Sequence, residues 1–520
     1  MLNTVKNIIE KYDKWIMCVS VIYFLSGIFW GIDFTDSFFH INEAILSTGK
    51  LPFETILTSH IILLIYPLFK NQFILWRLLN ALLLLYSFLF IYFIINRKLN
   101  KKKSRVLVAI FIFIFTPMNY NILGYDSFSI FFISLTILYL YHFEYNKISY
   151  NFILAVLLAI CVLIRIPNII LLPIIYLHFL SKRKKYDWNL MRLNKIYFIT
   201  IFISVFIYFI YLIITYKSFF SIYNSFASGD NHGLGNMLHY YIEDFIKIAG
   251  FAIVFIVYYF FTSRQKENQI IINSIIPILF FLFLFFSNRL SFLFHWQYAL
   301  TLSSFLISFF LIHVIIYKKI DLSILFVFFC MLTISCLSNT GLLKIVFLSN
   351  LSILIIIDKI QEKTKLYLLY SMFFFIPYSI LERLSSTFED KSYAELTHQI
   401  NSKHLRLILT TKNQSEFIET ISSVSNKFKK EGYQVVYYGL GSHLFNFIDP
   451  SPRVKYSYYQ DYNNTEEING VISENTKRKM AVMLFNIPSN SKHLTVVEQQ
   501  LTKNGFNLDS DNYISVYVRN

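Results

Sequence analysis

The chain has 520 residues, of which 56% are hydrophobic and 15% charged, and its mean hydropathy is +0.52. A soluble globular protein carries roughly 25% charged residues, so the composition excludes that class and predicts a multi-spanning membrane protein. The net charge of +16 does not mark a nucleic-acid binder. Lys and Arg gather in short loops between apolar segments, as topology signals do, rather than along one continuous face.

A spanning helix needs about 20 apolar residues. In chain order, about thirteen segments qualify or nearly do: 15–31, 73–95, 105–118, 126–142, 151–166, 168–181, 196–216, 246–262, 270–287, 298–317, 322–337, 345–358 and 366–381. The first is followed by no small-residue cleavage site and is expected to stay as a membrane helix. The apolar stretch 55–70 holds His60 and Pro67. It is read as a helix lying in the outer interface, because counting it as a span breaks the alternation of charge that follows. Basic residues precede the first span (Lys6, Lys11, Lys14) and follow the second (Arg97 to Arg105), the sixth (Lys182 to Lys195), the eighth (Arg264, Lys266), the tenth (Lys318, Lys319) and the twelfth (Lys359 to Lys365). With thirteen spans all of these fall on one side, which the positive-inside rule makes cytoplasmic. The N-terminus is then cytoplasmic and the C-terminus extracytoplasmic. Cys18, Cys161, Cys330 and Cys336 all lie in apolar segments without metal-ligand spacing, and read as small buried side chains, neither disulfides nor ligands.

This topology puts the informative polar residues on the outer face. Asp33, Asp36 and His40 follow the first span. Asn119, Asn121, Tyr125 and Asp126 form the second outer group, Arg165 and Asn168 flank Pro167 in the third, and Asp230, His232, Glu243 and Asp244 lie in the fourth. Arg289, His295 and Gln297 lie in the fifth, and Ser338, Asn339, Gly341 and Lys344 in the sixth. Two carboxylates at a membrane edge gain nothing from anionic head groups, so Asp33 and Asp36 point to chemistry or to an ordinary solvated loop. Few charges fall within spans, which favours a site at the outer surface over a midplane transport site.

After about residue 382 the composition turns polar. Residues 405–410, 433–438, 481–485 and 513–518 read as strands, and 415–430 and 492–504 as amphipathic helices. The expected organisation is a transmembrane module over 1–381 and a small extracytoplasmic α/β domain over 382–520. Gly439-Leu440-Gly441-Ser442 follows a strand but lacks the spacing and Lys of a P-loop, and reads as a tight turn.

With Asp33 and Asp36 after the first span, the stretches Thr116-Pro117, Tyr125-Asp126-Ser127, Arg165-Ile166-Pro167-Asn168 and Ser338-Asn339-Thr340-Gly341, and the outer C-terminal domain, the chain resembles GT-C-fold membrane glycosyltransferases. It is similar to the protein O-mannosyltransferases and the lipid A aminoarabinose transferase. The resemblance implies transfer of a sugar from a polyprenyl-phosphate donor to a hydroxyl acceptor (a glycolipid, a polysaccharide or a protein) at the outer face of a bacterial inner membrane. It implies that an acid of the first outer loop, Asp33 or Asp36, is the base; Asp33, two residues after Gly31, is the candidate, with Asp36 orienting it or sharing a divalent cation, Mg or Mn, with it. Two carboxylates alone do not define a metal site, and no metal ligand is assigned. A carboxylate can accept the acceptor's proton, and Arg or Lys can hold the donor phosphate. Arg165, Arg289 and Lys344 are the phosphate candidates, each with an alternative reading as a snorkelling residue at a span end. His40, His295, Asn339 and Asp126 are weaker candidates; Asp126 reads equally well as a helix cap, and His295 as part of an interfacial aromatic group with Trp296 and Tyr298. An oligosaccharide-repeat polymerase, a lipid flippase or transporter, and an inactive scaffold are the competing readings.

Overall fold

The computed structural model describes residues 11–33, 36–46, 55–118, 122–142, 148–186, 190–216, 239, 241–250, 252–253, 256, 294–317, 322–335, 341–351, 354, 375–385, 391–439, 442–449, 479–485, 491–511 and 514–519. They form two compact units. The first gathers Met1–Gly27, Ala81–Tyr120 and Tyr125–Ser386, and the second Ile28–Asn80, Asn121–Gly124 and Thr387–Asn520.

The first unit is helical. Its apolar segments fold as helices, in which the backbone groups bond within the segment; Cys161 and Cys330 are buried among them as expected, whereas Cys18 is exposed. Helix α1 (Asp13–Ser26) lies against α5 (Lys101–Phe115). Tyr23 stacks on Phe113 at 5.2 Å, and Asp13 pairs with Arg105. Helix α5 begins where the Asn100 side chain accepts from the Lys103 amide at 2.9 Å, a polar N-cap. Helix α6 (Tyr125–Tyr141) packs on α7 (Ile148–Ile164), α8 (Leu171–Tyr186) on α11 (Leu322–Leu332), and α9 (Leu190–Tyr216) on α7. Helix α10 (Phe294–Tyr317) is tied to α5 by the Tyr298 hydroxyl, which donates to the Ile114 carbonyl at 2.6 Å.

Among the described residues, Phe73–Ile95 (α4) is long and apolar enough to cross a membrane, and shorter apolar helices run over Ile56–Phe69, Tyr125–Tyr141, Tyr150–Ile164 and Ile166–Phe179. This helical, apolar content is that of a membrane-associated protein. The expected segment 270–287, and much of 246–262 and 366–381, lie outside the described residues. The expected span at 345–358 differs over its first half: Gly341–Leu351 is a 3-10 stretch kinked at Leu348. The tighter turn eclipses side chains three apart, which turns buried Lys344 and Phe347 to the same side.

The second unit joins the loop after α1 to the C-terminal domain. It holds α2 (Asp36–Leu46), α3 (Ile56–Phe69) and the first turns of α4. Two residue pairs form a short ladder, β1 (His398–Gln399) with β2 (Leu409–Thr410). A four-stranded sheet has the order β3-β4-β6-β5, from β3 (Gln434–Tyr438), β4 (Met480–Leu484), β5 (Asn507–Asp511) and β6 (Ser515–Arg519). Strands β3 and β4 are parallel, the remaining pairs antiparallel. Helices α12 (Lys412–Lys430), α13 (Ser442–Ile448) and α14 (Ser491–Lys503) connect them. The core is Val436, Met480, Val482, Leu484, Val497, Leu501 and Phe506.

One expectation about this domain is corrected, and one strand lies where none was expected. The strand expected at 405–410 shrinks to Leu409–Thr410, because Leu407 takes φ 73, a left-handed value that breaks extension. The unexpected strand is β5, which has no apolar alternation: Asn507, Leu508 and Asp509 are all exposed at the sheet edge.

Candidate functional site

Asp33 lies in the second unit and is 2% exposed. Its loop is held by its backbone. Arg77, one turn into α4 and itself buried, donates from Nη1 to the carbonyls of Ile28 at 3.0 Å and Trp30 at 3.3 Å, and from Nη2 to that of Gly31 at 2.7 Å. A planar guanidinium reaches several acceptors at once with little loss of freedom. The Gly31 amide donates to the Leu409 carbonyl at 2.9 Å, and Trp30 bridges Leu409 in parallel register. Gly31 has φ 74, open to glycine at no steric cost. The short strand β2 therefore fastens the loop that presents Asp33.

Helix α2 follows. Asp36 opens it, where a negative charge suits the helix N-terminus; its side chain lies outside the described residues. His40 Nδ1 stands 3.7 Å from Glu43 Oε2. Gly124 leaves room for the imidazole: a Cβ there would sit 2.3 Å from His40 Cδ2. From the C-terminal domain, buried His443 reaches the same neighbourhood, where it feels both Asp33 and His40.

A second polar group lies in the first unit. Lys344, 7% exposed, donates to Asp126 Oδ2 at 2.7 Å. Burial works against its ammonium, but Asp126 and Tyr125 outweigh both burial and the repulsion of Arg165, and its pKa is raised above the usual lysine value. Arg165, 4% exposed, sits where α7 breaks into extended backbone before the 3-10 turn Ile166–Ile170. Pro167 suits that first turn because its missing N–H has no helical partner there. Arg165 Nη1 donates to the Ile334 carbonyl at 2.7 Å. The Arg165 guanidinium lies 5.4 Å and the Lys344 ammonium 5.5 Å from the Tyr125 ring centre, so one aromatic ring collects two cations. Asn168, fully buried, donates to Ser129 Oγ and to the Cys161 carbonyl, both at 2.9 Å. Its Oδ1 makes no hydrogen bond. Asp244 accepts from the Leu342 amide at 2.9 Å, and burial raises its carboxyl above the ordinary aspartate value.

The structure thus brings Asp126, Arg165 and Lys344 together, and sets Asp33 with His40 and His443. Asp126 is no N-cap; it stands inside the first turn of α6 and serves as the partner of Lys344. Arg289 and Asn339 lie outside the described residues, and His295 falls in α10 with its side chain outside them. Among the described residues, no three His, Cys, Asp or Glu side chains gather to hold a metal. Sequence reasoning missed Arg77 and His443. Arg77 had a signal: it is the one charge in the run 73–95, and a charge inside a span is costly enough to be there for a reason. His443 had none, because it follows an ordinary turn in a polar domain.

Residues 54–214 match the family model described as dolichyl-phosphate-mannose-protein mannosyltransferase. That span covers less than half of the chain. It holds Arg77, Tyr125, Asp126, Arg165 and Asn168, and begins after Asp33. No curated protein matches the chain. At family level the match agrees with a GT-C-like glycosyltransferase, without singling out one enzyme.

Proposed function

We propose that the chain is a multi-pass membrane glycosyltransferase that moves a sugar from a polyprenyl-phosphate donor to a hydroxyl acceptor at the outer face of a bacterial inner membrane. The transmembrane module spans 1–381 with about thirteen helices, its N-terminus is cytoplasmic, and the C-terminal domain (382–520) is extracytoplasmic. The observation that carries this reading is Asp33: a buried carboxylate on a backbone-clamped loop directly after the first apolar helix. A base must keep its place while the acceptor hydroxyl attacks the anomeric carbon, and a loop fixed through four main-chain hydrogen bonds to Arg77 and Leu409 gives that preorganisation. The donor's phosphate oxygens suit the Arg165–Lys344 group, where Lys344 pairs with Asp126 and a bound anion would balance the charge of Arg165. The leaving phosphate departs with the bonding electron pair, and the same cations stabilise its developing charge. The matched family's name points to the same donor class.

The test is transfer from a radiolabelled polyprenyl-phosphate sugar in membranes, with wild type and Asp33→Asn at matched protein levels. Transfer by wild type and near-complete loss in the variant is the expected result; equal transfer by both removes Asp33 from the reaction.

A further inference from the structure

One buried titratable side chain has no part in the reaction proposed above. His443 is 1% exposed and sits in the first turn of α13. The chain reaches it through Gly439, at φ +110, where an added Cβ would stand 3.0 Å from the Phe485 carbonyl oxygen. Only glycine takes that conformation with that clearance without strain. The turn delivers α13 from the edge of the sheet onto α2. Asn42 Nδ2, from α2, donates to the His443 carbonyl at 2.6 Å, both residues being buried. The Phe39 ring meets the imidazole edge-on at 5.4 Å, and Phe38 meets Phe447 at 5.0 Å. The imidazole thus packs against Phe39 while Asn42 holds its main chain, and Asp33 and His40 lie within its electrostatic reach. Burial drives it down to about 4, against the pull of Asp33, so at neutral pH it is an uncharged dipole with one donor and one acceptor nitrogen.

We propose that His443 is a positioning residue for Asp33: the C-terminal domain reaches back through α13 to set the carboxylate of the first loop and to keep water from it. The inference rests on the reading of Asp33 as the base. In that role the neutral imidazole takes the place of solvent beside the carboxylate, so that one orientation of Asp33 faces the acceptor hydroxyl.

Two readouts on the full-length protein test this. In transfer assays, His443→Ala is expected to lower kcat about 10- to 100-fold, the scale of a small misplacement of a reacting group, with donor KM unchanged. His443→Gln, which keeps a neutral polar side chain of similar length in the space, is expected to recover much of that loss. Placed in an Asp33→Asn background, His443→Ala should cost nothing further, since its effect passes through Asp33. Independently of activity, carbodiimide coupling of Asp33 to glycine ethyl ester, read by mass spectrometry, should rise several-fold in His443→Ala and in Asn42→Ala. Matched melting temperatures exclude global unfolding, and His443→Gln serves if His443→Ala does not fold. Unchanged labelling with unchanged kcat overturns the proposal, and so does a further full loss in the Asp33→Asn background. If transfer proves independent of Asp33 while labelling still responds to His443, the placement stands and the base assignment fails.

Discussion

The two polar groups are built by opposite means. Around Asp33, the holding is done through main chain: Arg77 grips three carbonyls, Leu409 takes the Gly31 amide, and Asn42 takes the His443 carbonyl. Around Arg165, charged side chains gather about one aromatic ring, and Lys344 already has a carboxylate. Main-chain anchoring fixes a group's position and leaves its own chemistry available. Ion pairing neutralises charge and creates a place where an added anion exchanges or balances partners. The first design suits a group that reacts, the second a group that binds.

The sharpest way to break this contrast is the pair Asp33→Asn and Arg165→Ala. Asp33→Asn keeps size and polarity but removes the proton acceptor, and turnover should fall about 10²- to 10⁴-fold with donor binding retained. Arg165→Ala should instead weaken donor use, by about 10- to 100-fold in kcat/KM for the loss of a charge-assisted hydrogen bond of ~1.5–3 kcal/mol. Arg165→Lys should restore only part, because an ammonium lacks the fork. Kinetics showing the reverse split would exchange the two roles.

Arg77→Met tests the backbone clamp. Its carbonyl partners lose charge-assisted donors worth roughly 1.5 kcal/mol or more each, so melting temperature should drop and kcat should fall with it. Arg77→Lys, reaching fewer carbonyls, should fall between. A variant with wild-type kcat would show that β2 alone positions the loop.

The smallest effect is one of pH. His443 titrates at about 4 in the folded chain against 6.5 for an ordinary histidine. Its folded value is depressed, so the stability tied to its neutral form is complete above about pH 6.5 and is lost as pH falls toward 4. The unfolded chain takes up a proton over that window and the folded chain does not. At about 1.4 kcal/mol per unit, a few kcal/mol at most is at stake. Thermal melts between pH 7 and 4 should therefore fall more steeply in wild type than in His443→Gln. Parallel curves would show that Asp33, His40 and Glu43 already compensate the charge.

What the sequence made legible follows from what each signal reads. Apolar runs located the helices, because a continuous apolar stretch is read from composition alone. Arg165 and Lys344 stood out because a cation beside a long apolar run is expensive to bury. The apolar pattern located β3 and β4 as almost wholly buried runs and β6 by alternation, and failed for β5 at the edge. It overran Leu409–Thr410, since a pattern of side chains cannot foresee the left-handed turn at Leu407. The joining of residues 28–80 to the C-terminal domain was invisible for a related reason. Arg77, Leu409 and Asn42 act on carbonyls and amides, which every residue carries, so no residue type announces them.

That same anonymity has a consequence for how the Asp33 loop tolerates change. Arg77 does not read the side chains of Ile28, Trp30 or Gly31; it reads only where their carbonyl oxygens lie. Substitutions at Ile28 that keep the backbone path should pass nearly unnoticed by the clamp, whereas inserting or deleting a single residue between Ile28 and Asp33 would misalign every bond at once. The loop behaves as a ruler whose markings can be rewritten but whose length cannot be altered.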